Sequence, residues 1–370
     1  MIRFIHTSDI HLGKPFGRFP EDVRARLRQS RQDSLDTLAQ VARSQCASHI
    51  LLAGDTFDAE TPARTVLRHA MNAMADAADV TWVLMPGNHD HLKAAEIWDV
   101  LRRDAPVNVV LALEPSPLPL VEGAFCLPAP CTSRNPGRDL TEWYDACATG
   151  DAIRIGLAHG SIRDFRSVDE MGGESGAVIA PDRAKRAELD YLAFGDWHGR
   201  IEVASNTWYS GTPEADSFKP HQPSGVLSVE IKERGAPAKV LQVETGKIDW
   251  TTLSIDLLAG DNGAEQLRAA LPDLRCRRRT MIDIRPTGQL GLGARAALEQ
   301  AVHDTAPDFM WCDYDLSGLG TAHDAGDLDH IDDRGAVRDA AEALAKAADT
   351  GDEVAAAALT RLFSYAMEDK

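Results

Sequence analysis

FIHTSDIH, from Phe4 to His11, carries an apolar run directly into a Ser, an Asp and a His. Four further stretches repeat the arrangement: HILLAGD (49–55), VTWVLMPGN (80–88) followed by HD, AIRIGLAHG (152–160) and LDYLAFGD (189–196) followed by WH. Short runs this rich in Ile, Val, Leu, Phe and Trp, each ended by Gly or a polar turn residue, read as buried strands. In an open α/β sheet the carboxyl ends of the strands line one crevice, so Asp, Asn and His residues far apart in sequence can meet there. That mixture of carboxylate, imidazole and amide oxygen suits hard or borderline divalent cations, Mn, Fe or Zn, better than a thiolate site.

Between the runs the period changes from two to 3.6. Val23, Leu27, Leu35, Leu38 and Val41 predict a helix over 21–46, and Val66, Leu67, Ala70, Met71 and Met74 predict another over 63–77. A third is expected over 94–103, followed by a proline-rich stretch, 106–136, of short strands and turns. Strands return between 153 and 243. After about 246–258 the composition shifts, and alternating helix and strand patterns over 264–314 suggest a small α+β module. An acidic run (DAGDLDHIDDRG, 324–335) then leads to an Ala-rich tail, 336–367, of one or two amphipathic helices. The division expected is a catalytic domain over 1–258, the small module over 259–320, and a linker with C-terminal helices over 321–370.

At 370 residues the chain can bury a sizeable core and accommodate more than one domain. The N-terminal segment is too polar for a signal peptide, and no run reaches the roughly 20 apolar residues of a membrane helix. Six widely spaced cysteines with no CxxC pair fit reduced thiols, so a soluble cytoplasmic protein without membrane contact is expected. The net charge of -18 argues against a surface that grips nucleic acid throughout. It leaves room for a local basic path: Arg24, Arg28 and Arg31 share one face of the first helix and are candidates for phosphate contact, weighed against an ordinary solvated helix face.

The ordered set DxH, GD, GNHD, H and GDxH resembles the calcineurin-like metallophosphoesterases. Its wording, HTSDIHLGKPF with AGDTFD and PGNHD, is most similar to DNA-repair exonucleases of the SbcD type, including YhaO-like relatives, over roughly residues 1–215. The resemblance implies a two-sheet β-sandwich flanked by helices, an α/β metallophosphoesterase fold with a small C-terminal α+β capping module. It implies two divalent metal ions, most often Mn²⁺ with Fe or Zn as alternatives: Asp9, His11, Asp55 and His198 would hold one, and Asp55, Asn88, His159 and Asp196 the other. Hydroxide activated by the ions would attack a phosphodiester, and His89 would assist the leaving group, oriented by the Asp58 carboxylate.

The same resemblance implies DNA as substrate and an SbcC-like coiled-coil ATPase as partner, with the module capping the DNA site and the C-terminal helices binding the ATPase. It also implies a homodimer through residues 63–78 and 94–103. A small-molecule (nucleotide) phosphodiesterase or phosphatase, favoured by the acidic balance, and a non-catalytic scaffold subunit are the alternatives. His91, two residues after His89, is a candidate substrate contact. Trp197 is another, as a stacking platform for a base, weighed against a plain hydrophobic plug. His6, His49 and the remaining histidines lack comparable spacing and read as surface or satisfied core. One departure stands out: many relatives write the last motif GHxH, whereas this chain has Asp196 in the first place, and a carboxylate there raises the expectation of a weaker second metal position.

Overall fold

The computed structural model describes residues 1–162, 179–219, 222–322 and 335–368. Most of the acidic run at 324–335 lies outside the described residues, as do His221, His323 and His330. The chain divides into two units, Met1–Ile248 and Asp249–Lys370.

The first unit contains two six-stranded sheets. In one, β1 (Ile2–Thr7), β2 (His49–Ala53), β3 (Thr81–Met85) and β4 (Val109–Leu111) run parallel, and the later strands β11 (Gly225–Ile231) and β12 (Lys239–Glu244) extend it antiparallel beyond β1. The other has the order β5 (Leu118–Val121), β6 (Ala124–Ala129), β7 (Ile153–His159), β8 (Tyr191–Gly195), β10 (Thr207–Tyr209), β9 (Ile201–Ala204). Its centre, β6 to β8 and on to β10, is parallel. Parallel strands covered on both faces need unbroken apolar runs, which is how HILLA and TWVLM are written.

The sheets pack face to face. Phe4, Leu51 and Val83 from the first meet Cys126, Ile155, Leu157 and Ala193 from the second in one buried layer. On its outer face the first sheet is covered by α1 (Glu21–Ser44), α2 (Arg64–Asp76) and α3 (Ala95–Asp104), whose Leu35, Leu38, Leu67, Met74, Ile97 and Trp98 pack with Ile5, Ile50 and Trp82. A side chain of this size contributes about 1.5–3 kcal/mol when fully buried. The second sheet's outer face packs on a 3-10 turn (Glu142–Ala146) and α4 (Arg183–Arg186), with Tyr144 and Ala184 inside. The result is a two-sheet sandwich between helical layers, the metallophosphoesterase type of α/β fold. Leu67, Ala70 and Met74 of α2 and Ile97, Trp98 and Leu101 of α3 are consumed by the unit's own core, so these residues are closed to a second copy.

The second unit has a sheet of β13 (Asp249–Leu257), β14 (Thr280–Gly291), β15 (Trp311–Tyr314) and β16 (Leu319–Ala322), every pair of it parallel. Its boundary falls earlier than residue 259, because β13 pairs along its whole length with β14 from Asp249↔Thr280 to Leu257↔Gly288. The strand 249–257, assigned to the catalytic domain from the composition shift, is therefore part of this unit. Helices α5 (Gly263–Ala270) and α7 (Leu292–Thr305) cover the sheet through Leu267, Leu298 and Val302, and a short α6 (Leu274–Arg277) precedes β14. The tail forms two helices, α8 (Ala336–Asp349) and α9 (Glu353–Glu368). They belong to this unit rather than standing free: Ala341, Ala345, Leu359 and Phe363 close over Leu292. Val354, in contrast, is exposed. Among the described residues no helix is long and apolar enough to cross a membrane.

Candidate metal centre

Every sequence-predicted ligand leaves the end of a central strand of the first unit or the loop that follows it. Backbone bonds between these loops fix their spacing. The Asp9 amide donates to the Gly54 carbonyl (3.2 Å), that of His11 to Asp55 (3.0 Å), that of Leu12 to Thr56 (2.9 Å), and Asp58 returns one to Leu12 (3.1 Å). Across the second sheet the Gly160 amide donates to Gly195 (3.2 Å). The turns are sharp enough that Asp9, His11, Asp55 and Asp196 all adopt positive φ (54°, 48°, 53° and 98°). This region is unfavourable for most side chains, and Asp, Asn and His tolerate it better than others.

Two glycines make the crowding possible. Gly54 combines φ 89° with an approach so close that a Cβ would fall on the His159 ring, and a Cβ on Gly87 would fall on Asp55. The Asp90 carboxylate draws the GD and GNHD loops together, accepting from the Gly87 amide (2.7 Å) and the Phe57 amide (3.0 Å). Burial, reinforced by the Asp55 charge, pushes the Asp90 carboxyl up to about 7.

Asp55 is the centre of the cluster. Its Oδ2 lies 3.7 Å from His11 Nε2 and 3.5 Å from His159 Nε2, while its Oδ1 accepts from the His89 amide at 2.8 Å. Asp9 Oδ1 is 4.0 Å from His11 Nε2, and Asp9, His11 and His198 bring one donor atom each within 4.8 Å of one another. Asp9, Asp55 and His159 form a second such group, and His11, Asp58 and His89 a third. All of Asp9, His11, Asp55 and His159 are buried. Burial alone would oppose ionisation of Asp55 and protonation of His159. Their mutual attraction outweighs it, so the Asp55 carboxyl is held below its usual range and His159 is raised well above. The negative potential that favours a proton there favours a divalent cation equally.

Two unsatisfied atoms support a metal directly. His159 Nδ1 donates to the Ala53 carbonyl at 2.7 Å, which aims Nε2 at Asp55 Oδ2, 3.5 Å away, buried and without a hydrogen-bond partner, where a cation can take the place of a proton. Asn88 Nδ2 donates to Asp196 Oδ1 at 3.0 Å, and Asn88 Oδ1 is likewise buried without a partner. A native structure seldom strands buried polar atoms unless an ion or water completes them. A histidine fixed through one nitrogen with the other free is the usual posture of an imidazole ligand. The donor set thus fits divalent cations: Asp9, His11, Asp55 and His198 could hold one, and Asp55, Asn88 and His159 a second. Asp196 lies beside the second group, its Oδ1 3.8 Å from His159 Nε2, with its oxygens taking hydrogen bonds from Asn88 and from Ser161 Oγ (2.9 Å).

The other predicted residues fall into different places. His89 packs edge-on against His11 with ring centroids 4.8 Å apart, and its Nδ1 donates to the backbone carbonyl of Asp58 at 2.8 Å. The Asp58 carboxylate does not orient His89 as expected; it turns to His11 Nδ1, 3.2 Å away, because the chain curves back to Leu12 at that point. Arg31 is no phosphate contact: it is 1% exposed, bonds the Asp9, Ile10 and Glu214 carbonyls and lies 3.2 Å from Asp216. Arg24 and Arg28 both pair with Glu21 on their own helix. His91 is buried with Nε2 3.2 Å from Glu60 Oε1. Trp197 packs on the cluster containing Phe194 and Tyr209, and its indole N–H is buried, the posture of a plug rather than an open platform.

Asp216 and Asp90 are the residues that sequence reasoning missed. Asp90 stood in the GNHD segment with no role given to it. Asp216 ends YSGTPEAD, a stretch with no ligand-like spacing, yet its Oδ1 accepts from His198 Nδ1 at 3.1 Å.

The chain is 24% identical over 242 residues to the "Uncharacterized metallophosphoesterase YhaO" of Bacillus subtilis (strain 168), a match covering 62% of this chain and 57% of that one. It is 24% identical over 254 residues to the SbcD subunit of the SbcCD nuclease of the same organism, covering 59% of this chain and 63% of that one. In both cases the match spans less than two thirds of the relative. Among solved structures, the protein TT1561 of Thermus thermophilus aligns over 66% of this chain and 99% of its own at 11% identity, with a TM-score of 0.42. The family model described as Calcineurin-like phosphoesterase matches residues 2–200, the span that carries all five motifs, and the chain belongs to that family.

Proposed function

We propose that this protein is a metal-dependent phosphodiesterase whose substrate is DNA, acting as an exonuclease or endonuclease in repair with a coiled-coil ATPase as partner. The observation that carries the phosphodiesterase reading is the pair of buried, unpartnered atoms His159 Nε2 and Asn88 Oδ1, beside the carboxylate of Asp55 that faces two imidazoles. DNA is favoured by the likeness to a protein named as part of a nuclease. Divalent ions held by these donors, Mn²⁺ before Fe or Zn, would supply Lewis acidity to a phosphate ester.

The chain's own residues supply the rest. With Nδ1–H committed to the Asp58 carbonyl, His89 has Nε2 as the nitrogen able to hold or give up a proton, and a general acid of this kind at a departing alkoxide contributes about 10²–10⁴-fold. The Asp55 carboxylate, accepting from the His89 amide, ties the position of that acid to the metal donors. Gly54 and Gly87 let the loops close to the spacing the donors need.

A nucleotide-sized phosphodiester is the second reading. It is favoured by the burial of Arg31 and the pairing of Arg24 and Arg28 with Glu21, which weaken the basic path on the first helix, and by the net charge of -18. One assay separates them: degradation of blunt, hairpin and single-stranded DNA with Mn²⁺, beside hydrolysis of nucleotide and model diesters, for wild type, Asn88→Ala and His89→Ala. DNA cleavage lost in both variants is expected, with a steep fall as salt rises. Cleavage that survives both substitutions means the assigned centre is wrong. Hydrolysis of small diesters alone supports the second reading.

A further inference from the structure

We infer that Asp216 is a positioning residue for His198 and makes the position formed by Asp9, His11, Asp55 and His198 the tighter of two metal positions, so that the protein loads its ions in order. The inference rests on the metal reading given under the proposed function.

Asp216 is buried, 6% exposed, in the loop between β10 and β11. Three cationic or protonatable groups from three separate segments converge on its carboxylate: His198 Nδ1 at 3.1 Å, Lys14 Nζ at 2.5 Å and Arg31 Nη2 at 3.2 Å. Arg31 is itself anchored to the carbonyls of Asp9 and Ile10, and Thr212 Oγ1 bonds both the Asp9 carbonyl (2.9 Å) and that of Glu214 (2.8 Å). The His198 imidazole and the Asp9–His11 loop are therefore referred to the same buried anion. With Nδ1–H held by Asp216, His198 is fixed in the tautomer that leaves Nε2 as the donor.

The two positions are backed unequally. On one side His198 is bonded to a carboxylate, and the Asp58 carboxylate lies 3.2 Å from His11 Nδ1, though out of line for a good hydrogen bond. On the other, His159 is backed only by the neutral Ala53 carbonyl, and the amide of Asn88 contributes no charge. A carboxylate behind an imidazole orients it and raises its basicity, and loss of such a partner commonly weakens metal binding 10–100-fold. Asp9 reaches both donor groups and does not separate them, whereas Asp196, beside the second, is already engaged by Asn88 and Ser161.

The test is equilibrium titration of the metal-free full chain with Mn²⁺ by calorimetry, and with Co²⁺ by visible absorption, which reports donor geometry at each step. Wild type is expected to bind in two resolved steps. Asp216→Asn should weaken the tighter step tenfold to a hundredfold, leave the weaker step within about twofold, and change the Co²⁺ spectrum of the first step only. Asp216→Glu should restore part of the affinity. Should Asp216→Asn not fold, as judged by urea unfolding in chelator, Asp58→Asn acts on the same position through His11 and is expected to weaken the same step. Two ions bound by wild type with Asp216→Asn unchanged, or with both steps weakened alike, overturns this inference alone. A wild type that binds no ion overturns the metal reading as well.

Discussion

His198 Nδ1 stands 3.1 Å from Asp216 Oδ1, and the two residues, 18 apart in the chain, define how the last metal motif is aimed. Burial works against charge on both. Their attraction prevails: Asp216, with Arg31 and Lys14 beside it, is held well below the usual carboxylate range, and His198 is raised by the same carboxylate. No motif names Asp216, yet the placement of a motif residue depends on it.

Arg31 lies on the inside of that arrangement, and its replacement is expected to be costly. Arg31→Met would take from Asp216 its most buried cationic partner, leaving it Lys14 and His198, and would remove a donor from the carbonyls of Asp9, Ile10 and Glu214. Breaking a buried ion pair from one side costs about 3–5 kcal/mol. Urea unfolding followed in chelator should show a lower midpoint with an unchanged slope. A loss below about 1 kcal/mol would mean that Arg31 contributes as a surface residue does.

Gly54→Ala combines two penalties. The left-handed conformation at φ 89° costs a β-carbon about 1–3 kcal/mol, and the new methyl must displace the His159 ring. Metal content measured after dialysis should fall with stability, since His159 Nε2 then leaves Asp55. Gly123→Ala, at φ 76° with open space around it, is the matched control: strain without displacement, and full metal content.

His6 should make stability depend on pH independently of the metal donors. Its Nε2–H donates to the Phe194 carbonyl (3.1 Å), and its Nδ1 accepts from the Tyr191 hydroxyl (3.0 Å), a bridge between the two sheets that works only for neutral imidazole. Burial lowers it from 6.5 to about 3, against a smaller opposing effect of the Phe194 carbonyl. Between those values the unfolded chain carries the extra proton, so the stabilisation is complete above 6.5 and is lost as pH falls towards 3. At about pH 5 the loss is roughly 2 kcal/mol. Urea midpoints at about pH 7.5 and pH 5 in chelator should differ less in His6→Asn than in wild type; equal differences would refute the assignment.

Leu359→Ala tests whether the C-terminal helices are integral to the second unit. Leu359 is 1% exposed against Leu292, Ala341, Ala345 and Phe363, so truncation should cost about 2–5 kcal/mol. Limited proteolysis should cut within 336–368 sooner in the variant. Val354→Ala, at an exposed position, should leave the cleavage rate unchanged.

The strands, α1 to α3 and the convergence of Asp9, His11, Asp55, Asn88, His159 and His198 were legible because they depend on local periodicity and on a rule about strand ends that holds throughout α/β sheets. Strand β13 was misplaced for a comparable reason. Its residues, DWTTLSIDL, read as a strand, but only the ladder to β14 assigns them to the second unit. Partners were beyond reach of the sequence. Asp58 stands three residues from Asp55, and nothing local says that its carboxylate turns to His11 while its carbonyl meets His89. Arg31 shares a helix face with Arg24 and Arg28, and the three look alike until the loop around Glu214 closes over one of them.

By itself, then, the sequence determined the donor types, their order and the strands that carry them, because covalent spacing and hydrophobic period are written residue by residue. The tertiary structure alone decided which nitrogen of each histidine is free. Asp216 and the Ala53 carbonyl each hold an imidazole from another segment by a hydrogen bond, and Asp58 faces that of His11, contacts that exist only once the sheets and loops have closed.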